Sequence, residues 1–220
     1  PHLNLGAGGG TQAEQTSAVM QGYEKALMDD RPDLVIVVGD VTSTMACSVT
    51  AKKMQNIKVA HVEGGIRSGD WTMPEEINRI VTDSITDYFF TTSDTANENL
   101  RREGKTDDQI FFVGNTMIDT LYKNMDRLRK PDIYDQFNLQ EGNYIVMTLH
   151  RPANVDQEAG LLHLIQTIID TSRGIPLIFP VHPRTAKVLE HASVSAPNLH
   201  LIDPLGYLEF NYLVKHSKAV

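Results

Sequence analysis

The sequence has a single cysteine, Cys47, among its 220 residues, and it has no long apolar run. One cysteine cannot form a disulfide within the chain, which favours a reducing compartment. A membrane-spanning helix needs about 20 consecutive apolar residues, and the sequence shows neither such a run nor a signal peptide or lipidation motif. We therefore expect a cytoplasmic protein that does not bind membranes.

Positive charge is also scarce, because 20 Lys and Arg residues stand against 28 Asp and Glu residues, for a net charge of −8. The sequence contains no basic cluster that would neutralise the phosphates of a nucleic acid, so we expect no nucleic-acid partner. An anionic small molecule needs only a few local positive groups and is compatible with this charge. The apolar fraction of 41% is ordinary and predicts a packed core.

Short apolar segments alternate with helical segments along the whole chain. In the first half, strands are predicted at 34–38, 59–62, 88–92 and 110–113. The polar segment 131–142 predicts a linker, and a second alternation begins at Asn143. This pattern predicts an α/β fold of two Rossmann-like domains with parallel sheets, at 1–130 and 143–220.

Acidic residues follow two successive strands at the point where each strand ends. Asp40 follows the strand at 34–38, and Glu63 follows the strand at 59–62. Parallel strands joined by right-handed crossovers end at one edge of the sheet, where ligands bind, so we expect these two acids to lie close together. Asp40 is equally well explained as a helix cap, whereas Glu63 precedes two glycines and has no helix to cap.

A further pair of acids begins the next predicted helix, where Pro74 precedes Glu75 and Glu76. Proline suits the first helical turn, and acidic side chains suit its positive end. Such acids are usually caps, and Arg79 is usually the surface ion-pair partner of the glutamate four residues before it. A loop that carries carboxylates at a strand end and at a helix start is nevertheless suited to acid–base chemistry.

Histidine and arginine follow the strands of the second half, as His150-Arg151 and as His182-Pro183-Arg184. Arginine matches phosphate in charge and geometry, and histidine can serve as an acid, a base or a phosphate donor. With acids on one domain and His/Arg on the other, the sequence predicts a cleft that binds a diphosphate. No local metal-ligand spacing such as HExxH is present, so no metal site is expected.

Seven segments of the chain occur in a recognisable order. They are GDVTST at 39–44, HVEGGIRSGD at 61–70, PEEINR at 74–79, VGNTMID at 113–119, LHRPANVD at 149–156, PVHPRT at 180–185 and IDPLGYLEF at 202–210. Together they resemble the UDP-N-acetylglucosamine 2-epimerase family, in its non-hydrolysing bacterial and archaeal branch. Each segment is weak alone, but seven in register are specific.

The resemblance implies a GT-B fold, with the active site between two Rossmann-like domains, and a homodimer. It also implies interconversion of UDP-N-acetylglucosamine and UDP-N-acetylmannosamine without nicotinamide or metal. In the family mechanism the C2 proton is removed and UDP leaves by anti elimination. UDP then adds back to 2-acetamidoglucal with the opposite configuration at C2.

The resemblance also assigns the site. The catalytic residues it implies are Asp40, Glu63, Glu75 and His150. The residues expected to shape the site or hold phosphate are Arg79, Arg151 and His182. The role of each carboxylate stays open.

The family's Gly-Thr-Arg-Pro-Glu loop and its Ser-Gly-Gly-x-x-Glu-Glu segment are both missing from the sequence. We therefore expect a fragment that lacks both ends, in which both domains are incomplete and which is inactive alone. A hydrolysing epimerase, a GT-B glycosyltransferase and a nucleotide-sugar-binding fragment without turnover remain as alternatives.

Overall fold

The computed structural model describes residues 2–149, 158–181, 186, 189 and 194–220. The chain divides into two compact units, Pro1–Thr120 and Leu121–Val220. Each unit contains one parallel sheet, as the sequence predicted. The segment expected to be a linker, 131–142, belongs to the second unit. In the described part of the chain, no helix combines the length and the apolar character needed to cross a membrane.

The first unit has four parallel strands in the order β1-β2-β3-β4. The strands are β1 (Leu34–Val38), β2 (Lys58–Val62), β3 (Tyr88–Thr91) and β4 (Ile110–Phe112). The helices are α1 (Gln12–Asp29), α2 (Thr42–Lys53), α3 (Pro74–Ile85), α4 (Asp94–Arg102) and α5 (Thr116–Asn124), and α5 spans the division between the units. Every crossover joins neighbouring parallel strands, so all four strands end at the same edge.

The core of the first unit lies between the sheet and its helices. Val35 and Val37 of β1 pack with Leu27 of α1 and Ala51 of α2. The continuous apolar run of β1 is typical of a strand buried on both faces. The residues of β1 instead alternate between buried and exposed. Helices α1 and α2 pack on the face that carries Val35 and Val37, so Ile36 on the opposite face is 61% exposed.

In its described residues, the second unit has three parallel strands in the order β5-β6-β7. Its strands are β5 (Ile145–Val146), β6 (Leu177–Pro180) and β7 (Leu199–Ile202), and its helices are α6 (Ile133–Gln136), α7 (Glu158–Thr171) and α8 (Tyr207–His216). The second alternation was predicted to begin at Asn143, and its first strand spans only two residues. Tyr144, which directly precedes β5, is buried, and its hydroxyl donates a hydrogen bond to the Leu213 carbonyl at 2.7 Å.

Candidate active site

Strands β1 and β2 bring the first two predicted acids to one edge of the sheet. Val38 pairs with Val62 in parallel register, so Asp40 and Glu63 follow the ends of neighbouring strands. The Gly39 N–H donates to the Val62 carbonyl at 3.0 Å. A Cβ added at Gly39 would lie 3.9 Å from Oε2 of Glu63. The Glu63 carboxylate therefore lies beside the residue that precedes Asp40.

Glu63 has an unusual backbone conformation, with φ at 70° in the left-handed region. A residue with a Cβ adopts this conformation at a cost of about 1–3 kcal/mol, and such residues cluster at functional sites. The Glu63 N–H donates to the Phe90 carbonyl at 2.9 Å, which fixes the turn. The side chain is half-buried and makes no hydrogen bond or ion pair with any residue that the structure describes.

Asp40 is held by helix α3 and does not cap α2. The N-cap of α2 is Val41, without a side-chain cap. Arg79 donates from Nε and Nη2 to Oδ2 of Asp40, at 3.0 and 2.5 Å. The side-chain amide of Asn78 donates to the Asp40 carbonyl at 2.9 Å. Both the side chain and the backbone of Asp40 are thus fixed relative to α3.

The two adjacent glutamates of α3 have different surroundings. Arg79 does not pair with Glu75, and its Nη1 donates to Oε2 of Glu76 at 2.9 Å. Glu76 is 2% exposed and accepts the backbone N–H groups of Ser68 and Gly69 at 3.0 and 2.9 Å. Glu75 lines a cavity of about 310 Å³ at the starts of α1, α2 and α3. Within the described ranges, the Glu75 carboxylate has no hydrogen-bond or ion-pair partner.

The surroundings of Glu76 also set its ionisation. Burial opposes the charged form, but the N–H groups of Ser68 and Gly69 and the Arg79 guanidinium outweigh burial and lower the pKa of Glu76 to about 2. A carboxylate this acidic is a poor proton acceptor near neutral pH. Glu76 therefore ties the glycine-rich loop to α3, and Glu75 is the glutamate available for proton transfer.

A buried cluster next to these acids was not predicted from the sequence. His61 is fully buried, with Nδ1 2.6 Å from Oδ1 of Asp83 and Nε2 2.8 Å from the Gly39 carbonyl oxygen. The other carboxylate oxygen of Asp83 accepts from the Gly65 N–H at 2.9 Å and from Arg67 at 2.7 Å. Burial raises the pKa of Asp83, but the interactions with His61 and Arg67 outweigh burial, so this pKa lies below its usual value.

The four predicted site residues that the structure describes gather at the carboxyl edge of the first sheet; they are Asp40, Glu63, Glu75 and Arg79. The other three, His150, Arg151 and His182, lie outside the described residues. Their roles stay predictions.

Comparison with known proteins agrees with the resemblance seen in the sequence. The family model described as UDP-N-acetylglucosamine 2-epimerase matches residues 1–220. A UDP-N-acetylglucosamine 2-epimerase homolog of Methanococcus maripaludis is 41% identical over all of this chain and 62% of that protein. The UDP-N-acetylglucosamine 2-epimerase of Methanocaldococcus jannaschii is 38% identical over all of this chain and 63% of that protein. The chain thus spans less than two thirds of the length of these relatives.

Among solved structures, the chain resembles the M. jannaschii UDP-GlcNAc 2-epimerase in complex with UDP-GlcNAc and UDP. The TM-score is 0.85 at 39% sequence identity, over 99% of this chain and 62% of that one. The likeness confirms the predicted α/β fold of GT-B type.

Proposed function

This chain belongs to the UDP-N-acetylglucosamine 2-epimerase family, and on that premise we propose that the protein interconverts UDP-N-acetylglucosamine and UDP-N-acetylmannosamine. The observation that carries the proposal is the placement of Asp40, Glu63 and Glu75 at one strand edge, with Glu63 and Glu75 unpaired among the described residues. Inversion at C2 of the sugar requires acid–base groups, because the C2 proton is only weakly acidic.

In the proposed reaction, one carboxylate removes the C2 proton while the bond between C1 and the UDP oxygen breaks. The C2–H bonding electrons form the double bond of 2-acetamidoglucal, and UDP leaves with the electrons of the C1–O bond. UDP then adds back to C1 while a second group delivers a proton to the other face of C2. Glu63 and Glu75 suit the two proton transfers, because neither carboxylate is paired with any residue that the structure describes.

Asp40 is the third catalytic carboxylate of the proposal, and Arg79 fixes its orientation through two N–H donors. A guanidinium that binds a carboxylate in this way limits its rotation. We assign His150 as the catalytic histidine, and Arg151 and His182 as ligands of the UDP phosphates, from the family resemblance alone. Positive groups of this kind would stabilise the negative charge that develops on the departing UDP.

The proposed enzyme is a cytoplasmic homodimer that uses no cofactor. The M. jannaschii relative binds UDP-GlcNAc and UDP, which supports a nucleotide-sugar ligand here. Sedimentation of the protein at its natural length would test the dimer, and a monomer at all concentrations would contradict it.

The reaction itself is tested by incubating the natural-length protein with UDP-N-acetylglucosamine in heavy water. We expect deuterium at C2 of both epimers and no free N-acetylmannosamine. Release of free N-acetylmannosamine with UDP would show a hydrolysing epimerase. Sugar transfer to an acceptor without C2 exchange would show a glycosyltransferase, and binding without exchange would show a non-catalytic protein.

A further inference from the structure

Both ring nitrogens of the buried His61 face hydrogen-bond acceptors. Nδ1 lies 2.6 Å from Oδ1 of Asp83, and Nε2 lies 2.8 Å from the carbonyl oxygen of Gly39. A carbonyl oxygen and an ionised carboxylate can only accept hydrogen bonds. A neutral imidazole has one N–H, so it would leave one of these two contacts without a proton.

We propose that His61 is held as a doubly protonated imidazolium between Asp83 and the Gly39 carbonyl, and that it positions the two strand-end carboxylates Asp40 and Glu63. The positioning role rests on the function proposed above, whereas the protonation state does not. His61 touches no reacting atom in this proposal and acts through the backbone of Gly39.

The charges around the ring favour this state over a neutral pair in which Asp83 carries the proton. Oδ2 of Asp83 already accepts from Gly65 and Arg67, and both donors stabilise the ionised carboxylate. Arg67 also donates from Nε and Nη2 to Glu103, at 2.8 and 2.6 Å. Glu103 is itself exposed, so this pair leaves Asp83 as the buried acceptor of both His61 and Arg67.

The His61 imidazolium holds the backbone of Gly39, which directly precedes Asp40. The Gly39 carbonyl accepts from His61 at 2.8 Å, and the Gly39 N–H donates to the Val62 carbonyl at 3.0 Å. Gly39 is thus held on both sides by β2, in a left-handed conformation with φ at 71°. Asp40 follows Gly39, and Glu63 follows Val62. The His61 ring and strand β2 therefore fix the distance between Asp40 and Glu63.

The protonation state can be measured by NMR on the natural-length protein labelled with ¹⁵N-histidine. A free histidine, with a pKa of about 6.5, is neutral at pH 8. We expect the His61 ring to show a proton on both nitrogens at pH 8, and His61→Gln identifies its signals by their loss. A His61 ring with one unprotonated nitrogen at pH 8 would overturn the proposal, whether or not the protein is an epimerase.

The positioning role is tested by steady-state kinetics of His61→Phe. We expect kcat to fall by about 100-fold, because a small displacement of a catalytic group is enough for such a loss, while KM changes by less than about 2-fold. In His61→Gln the side-chain amide can still donate to the Gly39 carbonyl, so it should recover part of kcat. This second variant also serves if His61→Phe does not fold.

Thr82→Val is the matched control, because Thr82 is buried in α3 beside Asp83 and its hydroxyl has no hydrogen-bond partner within the described ranges. We expect its kcat to equal that of the parent protein. A kcat within about 2-fold of the parent in both His61 variants would contradict a positioning role.

Discussion

Glu75 and Glu76 are adjacent in sequence, yet one lines a cavity and the other is buried in hydrogen bonds. One step along an α-helix turns a side chain by about 100°, so neighbours face different surroundings. Glu76 accepts from two backbone N–H groups and from Arg79, which makes it part of the loop's structure. The sequence predicted acids at this helix start, but it could not say which of the two was free.

We predict that Glu76→Gln lowers the free energy of unfolding at pH 7 by about 3 kcal/mol, the value of a pKa shift from 4.5 to about 2. The folded-state pKa is depressed, so this stabilisation is full above about pH 4.5 and is lost as the pH falls toward 2. Urea unfolding of both proteins at pH 7 and at pH 3 measures it. If Glu76→Gln lowers the free energy of unfolding by as much at pH 3 as at pH 7, the ionised Glu76 is not the source of this stabilisation.

For Glu75→Gln the expected pattern is reversed. The rate of epimerisation should fall by at least about 100-fold, the usual contribution of a general acid or base. The free energy of unfolding should change by less than about 0.5 kcal/mol, because Glu75 has no polar partner in the described part of the chain. Kinetics and urea unfolding of the same samples test both halves, and an active variant would remove Glu75 from the mechanism.

Among the elements, the loop between β2 and α3 depends on close backbone packing against α4. Gly65 has φ at 82°, and a Cβ added there would lie 2.5 Å from the Ala96 carbonyl oxygen of α4. The side-chain amide of Asn99, also on α4, donates to the Gly65 carbonyl at 3.0 Å. Glycine is required here for both its conformation and its size.

We predict that Gly65→Ala lowers the free energy of unfolding by at least about 3 kcal/mol, because a backbone atom cannot move aside as a side chain can. Gly69→Ala is the matched control, since its φ is 73° but no atom lies within 4 Å of the added Cβ. Gly69→Ala should lower the free energy of unfolding by only about 1–2 kcal/mol, which is the cost of the left-handed conformation for a residue with a Cβ. If thermal or urea unfolding shows equal losses of unfolding free energy in the two variants, the contact with α4 is unimportant.

The elements also show what could be foreseen from the sequence. Short apolar runs located the strands, and the parallel sheet then placed Asp40 and Glu63 at neighbouring strand ends. The link between His61 and Asp83 could not be foreseen, because it joins a strand to a helix across 22 residues. No local periodicity encodes a contact of that kind, and it depends on how α3 packs on the sheet.

For the molecule as a whole, the fold was predictable from the sequence, whereas the site was predictable only in part. The two parallel sheets follow from the strand–helix alternation, and family membership follows from motifs spread over the full chain. Tertiary contacts then decide which acids are free, as the ion pairs of Arg79 show. Because Glu63 and Glu75 are the acids left unpaired among the described residues, we propose that these two move the C2 proton of a nucleotide sugar.

The sharpest test of this proposal is the exchange of the C2 proton of UDP-N-acetylglucosamine with heavy water, followed by NMR. We compare the natural-length protein with Glu63→Gln, Glu75→Gln and the control Glu98→Gln, which alters an exposed glutamate paired with Arg102 on α4. We expect rapid exchange in the parent protein and the control, and a loss of at least about 100-fold in both site variants. Exchange at the parent rate in Glu63→Gln and Glu75→Gln would contradict the proposal.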